Sequence, residues 1–108
     1  MPLIKIKPLS INKAWRGGKR FKTKEYLAYE QELFYRIPKM EIPNGKKAFI
    51  IKVGFSNKNT DADNIVKPLQ DIVAKKFGFN DNEIYYLEVI KEIVCKGEEY
   101  IAFEINPF

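Results

Sequence analysis

Residues 47–78 read KAFIIKVGFSNKNTDADNIVKPLQDIVAKKFG, and this stretch predicts a strand, a polar loop and a helix in turn. Lys47 to Phe55 is rich in branched and aromatic side chains, which is typical of a well-buried strand. After the polar loop, apolar residues recur at helical spacing from Ile65 to Val73. Because Pro68 disfavours helix at Lys67, we expect the regular helix to begin near Lys67 or its first turn to be distorted.

The segments on either side of this stretch predict one more helix and three more strands. Residues 3–9 favour a short strand, and residues 23–37 favour a helix that Pro38 ends. Two strand candidates, 84–94 and 99–105, are joined by Lys96-Gly97, which is typical of a hairpin. The order of elements predicts an α+β fold in one domain spanning residues 1–108, with a mixed sheet of about four strands and two helices packed on it.

The charge of the chain is unevenly distributed. Lys and Arg number 19 against 14 acidic residues, a net charge of +5, which favours a polyanionic partner. Residues 13–24 contain six basic residues and no acid, and we call this stretch the basic segment.

The scarcity of histidine and cysteine narrows the chemistry. With no histidine and a single cysteine, thiolate and imidazole zinc sites are excluded, so any metal would be bound by oxygen. Hydrolysis would have to rest on carboxylates, lysine or a metal ion. No stretch approaches the about 18 apolar residues that span a bilayer, so the sequence predicts no membrane association and a cytoplasmic protein.

Asp61 and Asp63 directly follow the predicted central strand. In an extended chain, two carboxylates two residues apart lie on one side, which suits half of a magnesium site for phosphoryl transfer. Alternatively, Asp63 or Asn64 caps the following helix and Asp61 is a solvated turn residue. Lys67 has two interpretations as well: it stabilises negative charge on a phosphate, or it belongs to a surface ion-pair ladder with Asp63 and Asp71.

Asp81 lies in the polar run 80–83, which by default predicts a turn. If the strand that begins at Ile84 lies beside the one that ends at Phe55, Asp81 could reach the pair Asp61 and Asp63 as a third ligand.

Three ordered segments resemble the RusA family of Holliday junction resolvases, which is found in bacteria and their prophages. The first is SINKAWRGGKRFKTK at 10–24, similar to a family segment S-x-N-x-x-W/Y-R followed by a basic glycine loop. The second is DADNIVKPLQD at 61–71, similar to D-x-D-N-x-x-K-x-x-x-D, and the third is GFNDNEI at 78–84, similar to D-D-x-Q-I. Thr60, Asn80 and Glu83 depart from the family pattern, whereas Lys91 falls where members often carry lysine.

The resemblance implies a homodimeric, magnesium-dependent endodeoxyribonuclease that resolves four-way DNA junctions in recombination and repair. It implies that Asp61, Asp63 and Asp81 bind Mg2+ and that Lys67 assists catalysis. The basic segment would hold DNA phosphates. Its candidate DNA-binding residues are Lys13, Trp15, Arg16, Lys19, Arg20 and Lys22.

Several alternatives remain open from the sequence. Trp15 either stacks at a junction or is partly buried under the basic loop. The whole chain is alternatively a DNA-binding module without catalysis, or a nuclease that cuts branched DNA with looser substrate choice. Candidate residues for a dimer interface are Phe77, Phe79, Tyr85, Tyr86 and Leu87, although core packing is the commoner fate of such side chains.

Overall fold

The computed structural model describes residues 1–17 and 21–108, and it confirms a single α+β domain. Two 3₁₀ turns, Ala62–Ile65 and Asp81–Glu83, precede the last helix and the fifth strand. In chain order the strands and helices are β1 Leu3–Ile4, α1 Ile11–Ala14, β2 Trp15–Arg16, β3 Phe21–Lys22, α2 Lys24–Arg36, β4 Lys47–Phe55, α3 Val66–Phe77, β5 Ile84–Ile93 and β6 Tyr100–Pro107.

The main sheet has the strand order β1-β6-β4-β5, with β4 parallel to β5 and antiparallel to β6. The mixed four-stranded sheet was predicted, but the predicted hairpin between the last two strands is wrong. The turn at Gly97 does reverse the chain, yet β4 lies between β5 and β6 and pairs with both. The apolar β4 is thereby fully paired, whereas β5, with its many exposed side chains, takes an edge of the sheet.

The core lies on the face of the sheet that carries alternate residues of β4. Phe49, Ile51 and Val53 are completely buried, and the Phe49 ring packs edge-on against Phe103 of β6 at a centroid distance of 5.7 Å. Apolar residues of α2 and α3 complete the same cluster. Burial of these side chains against the helices fixes which face of β4 points inward.

Both long helices begin and end where the local sequence predicts. The Thr23 hydroxyl accepts a hydrogen bond from the Tyr26 amide and caps α2, which ends just before Pro38. The 3₁₀ turn before α3 is the distorted entry that Pro68 predicts, and Gly78 ends α3 with a positive φ of 73°. Among the described residues, no helix is long and apolar enough to cross a membrane.

The N-terminal region differs from the sequence-based expectation. The predicted strand over residues 3–9 is limited to β1, which pairs with β6. After this strand, Ser10 caps the one-turn helix α1 through its hydroxyl, and the sequence did not predict this helix. The basic segment contains a small antiparallel ladder between β2 and β3 that alternation in the sequence does not reveal, because each strand has only two residues.

Candidate functional site

Asp61 and Asp63 lie between the end of β4 and the start of α3, and both are exposed. The extended geometry assumed for them is wrong beyond Asp61, because residues 62–65 form a 3₁₀ turn. The helix cap expected from Asp63 or Asn64 is also wrong, because Ile65 is the N-cap residue of α3 and makes no side-chain capping bond. Asp61 is an exposed loop residue, as the same alternative expected. Within residues 1–17 and 21–108, neither aspartate side chain has a hydrogen-bond or ion-pair partner, so both carboxylates are available to a ligand.

Lys67, on the first turn of α3, connects two acidic side chains. Its ammonium lies 2.8 Å from Asp71 Oδ1 and 3.3 Å from Asp81 Oδ2. Gln70 Nε2 also donates to Asp81 Oδ2 at 3.3 Å. The predicted ladder is therefore half present: Lys67 pairs with Asp71, whereas no ion pair joins Lys67 to Asp63.

The ionisation of this cluster follows from its contacts. The hydrogen bond from Lys67 to Asp71 raises the pKa of the ammonium, and Asp81 adds to this effect. Conversely, Lys67, helped by Gln70, lowers the pKa of the Asp81 carboxyl. Lys67 is therefore positively charged and Asp81 negatively charged at neutral pH. Because an ammonium has three donor hydrogens, Lys67 keeps one for a further acceptor.

The contact between Asp81 and Lys67 does not result from the pairing of β4 with β5. β4 and β5 are neighbours, as the prediction for Asp81 required, but they are parallel, with Lys47 opposite Ile84 and Phe55 opposite Ile93. Asp81 therefore precedes β5 at one end of the pair, and Asp61 follows β4 at the other. Over the described ranges, no group of three acidic or cysteine side chains is close enough to hold a metal ion.

The chemistry of the side chains nevertheless suits magnesium. Mg2+ prefers a few carboxylate oxygens together with water and phosphate oxygens, and Asp61 and Asp63 are two exposed carboxylates that no described side chain contacts. Asp81 is ionised and partly exposed, but its oxygen Oδ2 already accepts bonds from Lys67 and Gln70. We therefore regard Asp61 and Asp63 as the better-fitting ligands, and the role of Asp81 as a ligand stays a prediction.

Two departures from the family pattern have a structural role in the turn that carries Asp81. The Asn80 side chain accepts a hydrogen bond from the Asn82 amide, and Glu83 accepts one from the Asn80 amide, which together form a capping box. Buried Lys47 donates to Glu83 at 2.5 Å, and this contact lowers the pKa of the Glu83 carboxyl. These bonds hold the turn and, with it, Asp81.

Lys91, on the edge strand β5, contacts the loop that leads to Asp61. Its ammonium donates to the carbonyl oxygens of Lys58 at 2.9 Å and Thr60 at 2.6 Å. The local sequence did not predict the Lys91 contacts or the hydrogen bond from Gln70 to Asp81. Gln70 lies three residues after Lys67 on the same helical face, and this spacing is the signal that indicates a shared partner.

The basic segment is described in part, because Lys19 and Arg20 lie outside the described residues. Lys13 and Arg16 are exposed and have no ion-pair partner among residues 1–17 and 21–108. Lys22 differs, since it lies 3.4 Å from Glu30 Oε2 and over the Tyr26 ring. Trp15 is half-buried, with its ring 5.0 Å from that of Tyr26, which supports the packing interpretation for this side chain.

A comparison of the chain with models of known protein families found no match, and a comparison with curated proteins found none either.

Proposed function

We propose that this protein is a magnesium-dependent endodeoxyribonuclease that resolves four-way DNA junctions. The observation that carries the proposal is the geometry of 61–71: two exposed carboxylates without a partner among the described residues are followed on the next turn by a protonated lysine. This arrangement suits phosphodiester hydrolysis, in which a metal ion and a cation share the negative charge of the transition state. The resemblance of three ordered segments to the RusA family supports the choice of substrate.

In this proposal, Asp61 and Asp63 hold the metal ion, and Asp81, whose oxygen Oδ2 is engaged by Lys67 and Gln70, is a third ligand only if its turn moves closer to them. Mg2+, when bound, polarises the phosphate and makes a coordinated water more acidic. Lys67 stabilises the charge that develops on the phosphate oxygens, using the donor hydrogen that Asp71 and Asp81 leave free. Asp71 and Gln70 act as positioning residues, because they hold Lys67 and Asp81 in place.

DNA binding is assigned to the basic segment. Exposed Lys13 and Arg16 offer two positive charges that form no ion pair with the described residues, although both lie near Glu25, and Lys19, Arg20 and Lys22 add three more. We place half-buried Trp15, a residue of β2, under this surface, where its ring packs against Tyr26. Base stacking remains its secondary role.

Resolution of a junction requires two symmetric nicks, so we propose that the protein works as a homodimer. The edge strand β5 supports this assembly, since Tyr85, Tyr86 and Leu87 are exposed along it. Phe77 and Phe79 are less suitable than expected because they pack against the core. The proposed place of action is the cytoplasm of a bacterium, with a chromosomal or prophage gene.

The test uses labelled four-way, three-way and linear DNA, each incubated with the protein with and without Mg2+. We expect paired nicks in the four-way junction that depend on Mg2+. A shifted but intact junction at every magnesium concentration would support the DNA-binding module instead. Equal cutting of three-way and four-way substrates would support a nuclease with looser preference for branched DNA.

A further inference from the structure

A cavity of about 530 Å³ lies between the basic segment and the loop that leads to Asp61. Its lining includes Ser10 and Lys13 on one side and Asn57 and Thr60 on the other. The volume falls within the range of sites that bind small organic molecules, about 300–1,000 Å³. The cavity does not include the carboxylates of Asp61 or Asp63 and is therefore a separate site beside them.

The inner wall of the cavity is apolar and aromatic. Tyr29, Phe55 and Ile65 line it and are at most 6% exposed. The Tyr29 hydroxyl is buried and has no hydrogen-bond partner of good geometry among the described residues. Burial raises the pKa of this hydroxyl, and the nearby Leu9 backbone lowers it by a smaller amount. The hydroxyl has almost no accessible surface, so Tyr29 contributes to the wall through its ring.

Among the lining residues that the structure describes, the charges balance. Lys7 and Lys13 are offset by Glu25 and Glu99, and hydrogen bonds lower the pKa of both carboxyls, so both are ionised. This described part of the lining, which has no net charge, does not favour a phosphate or another small anion. It favours a flat, uncharged ring that contacts the apolar wall and forms hydrogen bonds along its edge with groups such as Ser56 and Asn57.

We propose that this cavity takes an unpaired nucleobase from the DNA strand that runs past Asp61. The inference rests on the proposed function and deepens it: the protein would hold the branch point by drawing one base out of the stack. The energetic cost of unstacking is lower for a base at the end of an arm, where the crossover interrupts the stack, than for a base inside a regular duplex. The pocket would thereby favour branched DNA over regular duplex.

The first experiment tests the pocket without DNA cleavage, by titrating the isotope-labelled protein with each deoxynucleoside monophosphate and following backbone amide shifts by NMR. We expect shifts at Leu9, Ser56 and Asn57 with nucleotides but not with deoxyribose 5-phosphate. Ser56→Phe, which fills the cavity, should remove these shifts. Asn59→Phe adds the same bulk on the same loop outside the lining, and it should keep them. If the shifts are absent, or are equal with the sugar phosphate, the proposal is overturned.

The second experiment separates a base in a strand from a free nucleotide. Junctions that carry an abasic site at each nucleotide beside the crossover in turn are compared with the intact junction. At one position the wild type and Asn59→Phe should bind about tenfold more weakly, the loss expected when one stacked base is removed. Ser56→Phe should bind the intact junction about as weakly as the wild type binds that abasic junction. The abasic site should not weaken the binding of Ser56→Phe any further.

The two proposals can fail separately. If the wild type cleaves junctions but tolerates every abasic site, the pocket inference is overturned and the nuclease stands. If nucleotides bind in the pocket but no branched DNA is bound or cut, junction resolution is overturned, and so is the inference that a DNA strand supplies the base. Thermal unfolding of Ser56→Phe should match the wild type, since Ser56 is exposed. If Ser56→Phe unfolds at a lower temperature than the wild type, both experiments use Ser56→Tyr in its place.

Discussion

The ammonium group of Lys91 donates a 2.6 Å hydrogen bond to the carbonyl oxygen of Thr60, the residue directly before Asp61. A second bond reaches Lys58 O, so one side chain on the edge strand holds the loop at two points. Lys91 touches neither aspartate by an ion pair, and we regard it as a positioning residue for Asp61.

Replacing Lys91 with Met should raise the magnesium concentration for half-maximal cleavage by about tenfold, because residues that orient metal ligands contribute at least this much to affinity. The rate at saturating Mg2+ should change little, and Lys91→Arg should restore part of the affinity. The control is Lys96→Met, which removes an exposed lysine from the next turn. An unchanged magnesium dependence in Lys91→Met would mean that the loop keeps its position without this lysine.

Asp61→Asn and Asp63→Asn should each slow cleavage by roughly a hundredfold or more, since a catalytic metal supplies several kcal/mol. Junction binding and thermal unfolding should be unchanged because both side chains are exposed and have no partner in the described part of the chain. Gel-shift and nicking assays measure the two effects side by side. Glu41→Gln, an exposed acid before β4, is the matched control. Full activity in either aspartate variant would refute the assigned site.

Lys67→Met should reduce the rate of cleavage by about 10²–10³-fold with little effect on binding, if the ammonium stabilises the transition state. Lys67→Arg should keep more activity because the charge remains. Asp81→Asn distinguishes two roles: a metal ligand would shift the magnesium dependence, whereas a partner of Lys67 alone would lower the rate without that shift. A loss confined to binding in Lys67→Met would make Lys67 a phosphate anchor.

Replacing both Lys13 and Arg16 with Gln should weaken junction binding and flatten its dependence on salt. The slope of log affinity against log salt should fall by about 0.9 for each phosphate contact removed. Lys39→Gln removes an exposed lysine near the end of α2 and should leave the slope as it is. The triple change of Lys19, Arg20 and Lys22 to Glu should have a larger effect. If the slope is the same in all variants, the DNA surface lies elsewhere.

Leu87→Glu should convert the proposed dimer to a monomer, because it puts a charge on the exposed side of β5. Sedimentation equilibrium at micromolar concentration measures this directly. Leu27→Glu makes the same change on the exposed face of α2 and should leave the dimer intact. A wild type that stays monomeric, both free and on junction DNA, would contradict paired cleavage by a dimer.

Local signals in the sequence determined the long helices, the long strands and several of their ends. The apolar run of β4, the Thr23 cap of α2 and Gly78 at the end of α3 each act within a few residues, so their effects can be predicted from neighbours in the chain. The irregular entry to α3 followed in the same way from Pro68. The acidic pair and Lys67 could be selected as candidates because they lie within one short motif.

Only the tertiary structure decided which strands pair and which side chains meet. The turn at Gly97 fixes a reversal of direction but not a partner, and β4, the most deeply buried strand, lies between β5 and β6. The contacts of Lys67 with Asp81 and of Lys91 with Thr60 join residues 14 and 31 positions apart. Such contacts depend on strand order and register, which packing of the whole core sets and which no local pattern encodes.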